Sequence, residues 1–211
     1  MTGSIKPRLK PSQSRAWMTS ISIQDAFLQL LLEKDFESIS MRDIANVSGV
    51  SIGGLYRYFP SKEAIAAMTI HTWVRRLASA LALEADTVNR TLDATVHACV
   101  QVHVATMLDG SDKWRALSSL ERRISPQAVY NHSYMHNVRL FGRALTGASD
   151  WPAGRPGEHE AFNAYTMVDA IVKQTLIVRP TCPSESALVA DIVCAVLGYL
   201  RVALAVPGQA G

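Results

Sequence analysis

The feature that most constrains this 211-residue chain is a cluster of helix starts and stops between residues 39 and 63, ISMRDIANVSGVSIGGLYRYFPSKE. Ser40 with Asp43 three positions on is an N-cap followed by an acid in the first turn, where a carboxylate complements the helix dipole. A helix over about 41–48 then stops at Gly49, which can take the left-handed turn that other residues resist. Ser51 is the N-cap of another short helix ending near Tyr58, and Pro60 stops it. Ser61 caps a longer helix with Glu63 in its first turn. Ile44, Ala45, Val50, Leu55 and Phe59 are spaced to face inward, and Ala45 is small enough to let two helices approach closely. Two short helices across a Ser48-Gly49-Val50-Ser51 turn form the pattern of a helix-turn-helix, whose second helix suits a DNA major groove.

The same approach applies to the rest of the chain. Apolar residues Trp17, Ile21, Ile23, Phe27, Leu28, Leu30, Leu31 and Leu32 recur at helical spacing and predict a first helix over about 15–34. The helix opened by Ser61 reaches about Leu83. Further helices are predicted over about 87–108, 112–123, 126–146, 158–178 and 184–206, separated by Gly110, Ser125-Pro126, the loop 147–157 and Pro180–Pro183. No segment alternates as an amphipathic strand does and no repeat is present, so the chain reads as all-α. With 48% hydrophobic and 18% charged residues it can bury a sizeable core.

Charge is uneven. Residues 1–76 carry ten Lys/Arg against six Asp/Glu; the remainder carries eleven against twelve. A basic N-terminal end favours a polyanion, because each neutralised phosphate releases counterions, although a merely solvated basic surface has the same composition. Residues 1–14, with Lys6, Arg8 and Lys10, read as a flexible basic arm, either reaching a minor groove or unattached. Cys99, Cys182 and Cys194 form no closed disulfide framework, and the first residues lack the apolar stretch of a signal peptide. A cytoplasmic location is expected. Residues 187–206 are long and apolar enough to span a bilayer, but Asp191 and Arg201 lie inside that stretch, so a helix buried at a subunit interface is the better reading.

From Ser40-Met41-Arg42-Asp43-Ile44-Ala45 through Gly49-Val50-Ser51 to Leu55-Tyr56-Arg57-Tyr58-Phe59-Pro60-Ser61-Lys62-Glu63, the chain resembles the TetR (tetracycline-repressor-like) family of transcriptional regulators. The resemblance implies an N-terminal helix-turn-helix DNA-binding domain over 15–62, and a larger helical ligand-binding and dimerisation domain over 63–211, joined through the fourth helix. It implies that Arg42 contacts a phosphate or base, that Ser51, Ile52, Gly53 and Gly54 open the recognition helix, that Tyr56 and Tyr58 approach the DNA backbone, and that Lys62 grips a phosphate. Two positions depart from the family pattern. Ile52 stands where a long polar residue is frequent, and Gly54 where Thr, Ser or Ala is frequent. Ile52 can touch a thymine methyl but cannot read a hydrogen-bonding edge, and each Gly weakens the helix by roughly 1 kcal/mol. Arg57 either supplies the missing readout or faces solvent. The other reading of Tyr56 and Tyr58 is an aromatic core, and that of Arg42 a solvated helix residue.

The C-terminal region carries the resemblance only in its architecture, which implies a homodimer through the last two helices. The final helix, with Ala187, Leu188, Ile192, Val193, Val196, Leu197, Leu200 and Leu204, is apolar around much of its circumference and calls for burial. Candidate ligand-binding groups rest on chemistry alone: His97, His103, Tyr134, Asn163, Tyr165 and Asp169 are polar groups on apolar helices, and Met107, Trp114 and Phe162 are apolar walls. They suggest a small apolar or aromatic effector. His132 and His136 share a helix face, but two ligands do not make a metal site, and no metal or cofactor is expected. Motifs of hydrolases, metalloproteases, nucleotide and dinucleotide sites are missing from the sequence. The expectation is a ligand-responsive repressor that binds double-stranded operator DNA. The alternatives are a helical dimeric interaction or ligand-binding protein without operator binding and, further off, an enzyme of unfamiliar type.

Overall fold

The computed structural model describes residues 14–179 and 181–205; the expected basic arm with Lys6, Arg8 and Lys10 lies outside them. Among the described residues the chain is all-helical: α1 (Ser14–Glu33), a 3-10 turn (Phe36–Ser38), α2 (Met41–Ser48), α3 (Ile52–Tyr58), α4 (Lys62–Ala85), α5 (Leu92–Leu108), α6 (Ser111–Ile124), α7 (Gln127–Thr146), α8 (Glu158–Val178) and α9 (Glu185–Ala205). The chain forms two compact units. One contains residues up to Trp73 together with Ala116–Pro126, and the other contains Val74–Arg115 and Gln127 onward. The division between the units falls within the residue ranges of α4 and α6.

In the first unit α1 buries Ile23, Ala26, Phe27 and Leu30, while Trp17 and Leu32, also apolar, stand in solvent. Phe27 meets Phe36 edge to face at 6.2 Å, an arrangement that aromatic quadrupoles favour. Ile39, Ile44, Ala45, Leu55 and Phe59 complete this core. The second unit packs α5 on α7, α8 and α9, α7 on α8, and α8 on α9. Trp114 and Arg115, at the start of α6, donate to the carbonyls of Thr106 and Leu176.

Two departures from the sequence-based boundaries have local causes. No periodicity signals the 3-10 turn Phe36–Ser38; it fits because burying Phe36 draws the chain inward after Lys34. α5 starts at Leu92 rather than near 87, since Asn89 takes a left-handed φ of 66° and Thr91 becomes the N-cap, accepting the Ala94 N–H. The loop before α8 is ordered by its own polar groups. The Leu92 N–H donates to Asp150 at 2.6 Å, and Arg155 donates to the carbonyls of Ala203 and Leu204 at the end of α9 while pairing with Glu160. Carbonyls at a helix C-terminus lack intrahelical partners, and a guanidinium satisfies them well.

Candidate nucleic-acid interface and effector site

The helix-turn-helix is fixed by short-range bonds. Ser40 and Asp43 form a reciprocal capping box: the Asp43 N–H donates to Ser40 Oγ and the Ser40 N–H to Asp43 Oδ2. Lys34 pairs with the same carboxylate at 2.9 Å. The Lys34 ammonium first, then the two Ser40 bonds, hold the Asp43 carboxyl down at about 2. Gly49 ends α2 with φ 69°, left-handed backbone that a side chain resists. Ser51 Oγ accepts the Gly54 N–H, which starts α3 one residue later. Ile44, Ala45, Leu55 and Phe59 are buried as the spacing requires, and Val50 is half-buried.

This scaffold leaves one face in solvent. Arg42 on α2 and Ser51, Ile52, Gly53, Tyr56 and Arg57 around α3 are exposed, and Gly54 and Tyr58 are half-exposed. The core reading of Tyr56 does not hold, since its ring is 45% exposed, and the aromatic in the core is Phe59, fully buried. A Cβ placed on Gly53 would meet nothing within 4 Å, so its open position reflects no internal crowding.

Lys62 has partners within the protein. Its ammonium donates to the carbonyls of Phe36 at 2.9 Å and Glu37 at 3.0 Å and lies 4.6 Å from the Phe36 ring centroid. An ammonium has three donors, and two of them here close the C-terminal end of the 3-10 turn. Lys62 thus buttresses the turn between α1 and α2. Arg123, from the second half of α6, pairs with Glu37 on the same turn.

The second unit brings together five of the nine candidate effector residues. His103 on α5, Tyr134 on α7, and Phe162, Tyr165 and Asp169 on α8 form one cluster. The Tyr165 ring centroid lies 5.2 Å from that of Tyr134 and 5.8 Å from that of His103, and Tyr134 lies 6.3 Å from Phe162. His103 is fully buried; its Nε2 is 3.8 Å from Asp169 Oδ1, beyond hydrogen-bond reach, and neither ring nitrogen is hydrogen-bonded by the protein. Burial outweighs the pull of Asp169 and sets the imidazole at about 4, so it is neutral near pH 7. Asp169 is paired instead with Lys173 at 3.1 Å.

Met107, one turn beyond His103, is buried, and Trp114 is buried with its indole held by the Thr106 carbonyl. His97 points elsewhere: with Gln101 it lines a groove of about 700 Å³ against Glu185, Ser186, Val189 and Cys194 of α9. Asn163 donates to the Tyr199 hydroxyl on α9.

Sequence reasoning missed two members of the cluster. Asn137 is buried on α7 and donates to Tyr165 Oη at 3.0 Å, while its own Oδ1 accepts nothing. Thr166 accepts from the Tyr134 hydroxyl at 2.9 Å. The available signal for Asn137 was its place three residues after Tyr134, next to Val138 and one turn before Phe141, in an otherwise apolar stripe.

Residues 23–68, which contain the whole helix-turn-helix, match the family model described as bacterial regulatory proteins of the tetR family. Over those residues the chain is similar to the tetR family. A related HTH-type transcriptional regulator of Mycobacterium tuberculosis strain H37Rv is 39% identical over 66 residues, which is 31% of this chain and 33% of the relative. The match thus spans about a third of the relatives' length. A transcriptional regulator of Pseudomonas aeruginosa PAO1 superposes with a TM-score of 0.71 at 22% identity, covering 92% of this chain and 93% of its own. A regulatory protein in the tetR family from Rhodococcus RHA1 gives 0.68 at 16% identity, covering 85% and 95%. Identity this low speaks for fold alone. The fold of these structures therefore extends along most of the chain, while the family-model match lies at residues 23–68.

Proposed function

We propose that this protein is a ligand-responsive repressor of the TetR type that binds double-stranded operator DNA as a homodimer in the cytoplasm. The observation that carries the reading is the exposed row Arg42, Ile52, Gly53, Tyr56 and Arg57 on a helix-turn-helix whose every cap and core position is otherwise satisfied. Tyrosine hydroxyls and a guanidinium are phosphate donors, and an exposed aliphatic side chain beside a bare glycine suits close approach to base edges. Catalysis has no part in it.

A homodimer through α8 and α9 is supported by the apolar residues that α9 keeps outside its own unit. Leu188, Ile192, Val196 and Leu200 are buried, whereas Ala187 and Val202 are exposed and Val193 and Leu204 half-exposed. α9 is also long and apolar enough to cross a membrane, with 28% of its apolar window buried. Asp191 and Arg201 lie exposed along it, however, and Arg201 pairs with Asp93 on α5. A helix with charges at mid-length suits a partner subunit better than lipid.

The effector is held by the cluster of His103, Tyr134, Phe162, Tyr165 and Asp169. It acts by favouring one spacing of the two recognition helices over the roughly 34–36 Å that successive major grooves require. α4, which passes from the first unit into the second and carries Trp73 and the Arg75-Arg76 pair, is the lever.

A gel-shift and footprint on the DNA upstream of the gene test this reading. A palindromic footprint is expected, with affinity falling steeply with salt and a large loss in the double variant Arg42→Ala, Tyr56→Ala. Lys62 is left intact in that variant because it holds the α1–α2 turn. Unchanged affinity in a folded double variant would favour a helical dimer without operator binding.

A further inference from the structure

Resting on the effector reading of this cluster, we infer that it takes an uncharged aromatic molecule bearing a hydroxyl, and that His103 and Asn137 bind that hydroxyl. Three buried polar atoms point to this class: His103 Nδ1, His103 Nε2 and Asn137 Oδ1 are hydrogen-bonded by no protein group. Buried polar atoms are nearly always paired, and each one left unpaired costs free energy. A neutral imidazole presents one donor and one acceptor. Asn137 has committed its NH2 to Tyr165 and offers only its carbonyl oxygen. A hydroxyl, donor and acceptor at once, answers both side chains: it donates to Asn137 Oδ1 and accepts from the imidazole N–H.

Charge narrows the class further. Asp169 and Lys173 already neutralise each other beside His103. A ligand carboxylate set against His103 would face the Asp169 carboxylate, and an ammonium would compete with Lys173 for it. Either would bring an uncompensated charge into a buried site. The surroundings are aromatic: Tyr165 packs against His103, Tyr134 and Phe141, and Phe162, 43% exposed, packs against Tyr134 at the outer edge. Rings on several sides favour a flat aromatic body over an alkyl chain.

Four probes of one shape test the class on the full-length protein: p-cresol, p-xylene, 4-methylbenzoate and 4-methylbenzylammonium, titrated calorimetrically and followed by imidazole 15N NMR. p-Cresol is expected to bind at least about tenfold more tightly than p-xylene, since a site built to hydrogen-bond a hydroxyl rejects the analogue lacking it. Both charged probes should bind more weakly still. p-Cresol should shift the His103 ring nitrogens, and Asn137→Leu should lower its affinity about tenfold while leaving p-xylene unchanged. Asn137 is buried, so thermal melts verify folding; if Asn137→Leu fails to fold, His103→Gln takes its place and should lower p-cresol affinity alone. Equal binding of p-cresol and p-xylene, or preference for a charged probe, would overturn the chemical class while leaving an effector site in place. Binding of none of the four, with operator binding intact, would remove the effector reading of this cluster and the proposal with it.

Discussion

The two units of this protein handle polar groups in opposite ways. Around α2 and α3 each structural polar group has a nearby partner: Ser40 with Asp43, Ser51 with the Gly54 N–H, Lys62 with two carbonyls. What remains exposed there is the face proposed to meet DNA. Among α5, α7 and α8 the polar groups come from helices distant in sequence and are buried, and three of their atoms are left without a protein partner. One unit completes itself and presents a surface. The other buries polar atoms that it does not pair. The first arrangement suits a large, solvated polyanion that docks from outside, and the second a small molecule that must be surrounded.

The largest expected effect breaks the self-complete unit. Phe59 is fully buried between α3 and α4 in sequence, and Phe59→Ala should cost about 3–5 kcal/mol through reduced burial and the cavity left behind. Urea unfolding reads that cost. Phe162→Ala, at the half-exposed edge of the cluster, should change stability far less. Equal costs would mean that the two sites are packed alike.

Acid separates the units next. His103 is held at about 4 against an ordinary 6.5. Its folded-state value is depressed, so the unfolded chain binds the proton first. Stability is therefore complete above pH 6.5 and falls between pH 6.5 and about 4. A shift of this size corresponds to about 3 kcal/mol. Asp43, held at about 2 against 3.8, keeps its contribution above pH 3.8 and loses it as pH falls towards 2. The upper window should disappear in His103→Leu, and the lower one should persist. Unfolding midpoints measured from pH 8 to 2 in both proteins decide this; an unchanged slope between pH 6.5 and 4 in His103→Leu would contradict the burial argument.

The same contrast explains what is legible in the amino-acid order. Caps and turn residues act over three or four positions, so Ser40, Gly49, Ser51 and Pro60 mark the helix-turn-helix in the sequence alone, and Arg42, Ile52 and Tyr56 are exposed where the resemblance places them. Lys62, expected to grip a phosphate, also bonds two carbonyls 25 and 26 residues away, on a 3-10 turn that no periodicity signals. In the second unit, composition picks polar residues on apolar helices without specifying which of them meet. It finds His103, Tyr134, Tyr165 and Asp169, includes His97, which faces α9, and passes over Asn137. Side chains 28 to 66 residues apart in sequence meet through helix packing, which is not a local rule.

Lys62 and Arg42 sharpen the comparison inside the first unit at smaller cost. Lys62→Ala should lower stability by about 1.5–3 kcal/mol, the range for removing hydrogen bonds made by a charged group, and should weaken operator binding only as far as the turn loosens. Arg42→Ala, at an exposed site, should leave stability within about 0.5 kcal/mol. It should nevertheless lower operator affinity and reduce the salt slope by about 0.9, because one phosphate is no longer neutralised. Binding titrations at several salt concentrations, paired with melts, separate the two. A lowered salt slope in Lys62→Ala at full stability would return Lys62 to the DNA.

The smallest effect tests whether the exposed face is kept bare for a partner rather than for the fold. Gly49 and Gly53 lie four residues apart, and at either one an added Cβ would meet nothing within 4 Å. Their backbones differ: Gly49 is left-handed at φ 69°, whereas Gly53 is in the first turn of α3. Gly49→Ala should therefore cost about 1–2 kcal/mol from backbone strain. Gly53→Ala should raise stability by about 0.5–1 kcal/mol, because alanine loses less conformational freedom in a helix. If α3 meets duplex DNA through this position, the new methyl occupies the approach, and operator affinity falls while the melting temperature rises. Opposite movement of the two readouts in one variant assigns the glycine to the groove. Parallel movement would mean that residue 53 lies off the DNA, and that α3 is seated by Tyr56 and Arg57 instead.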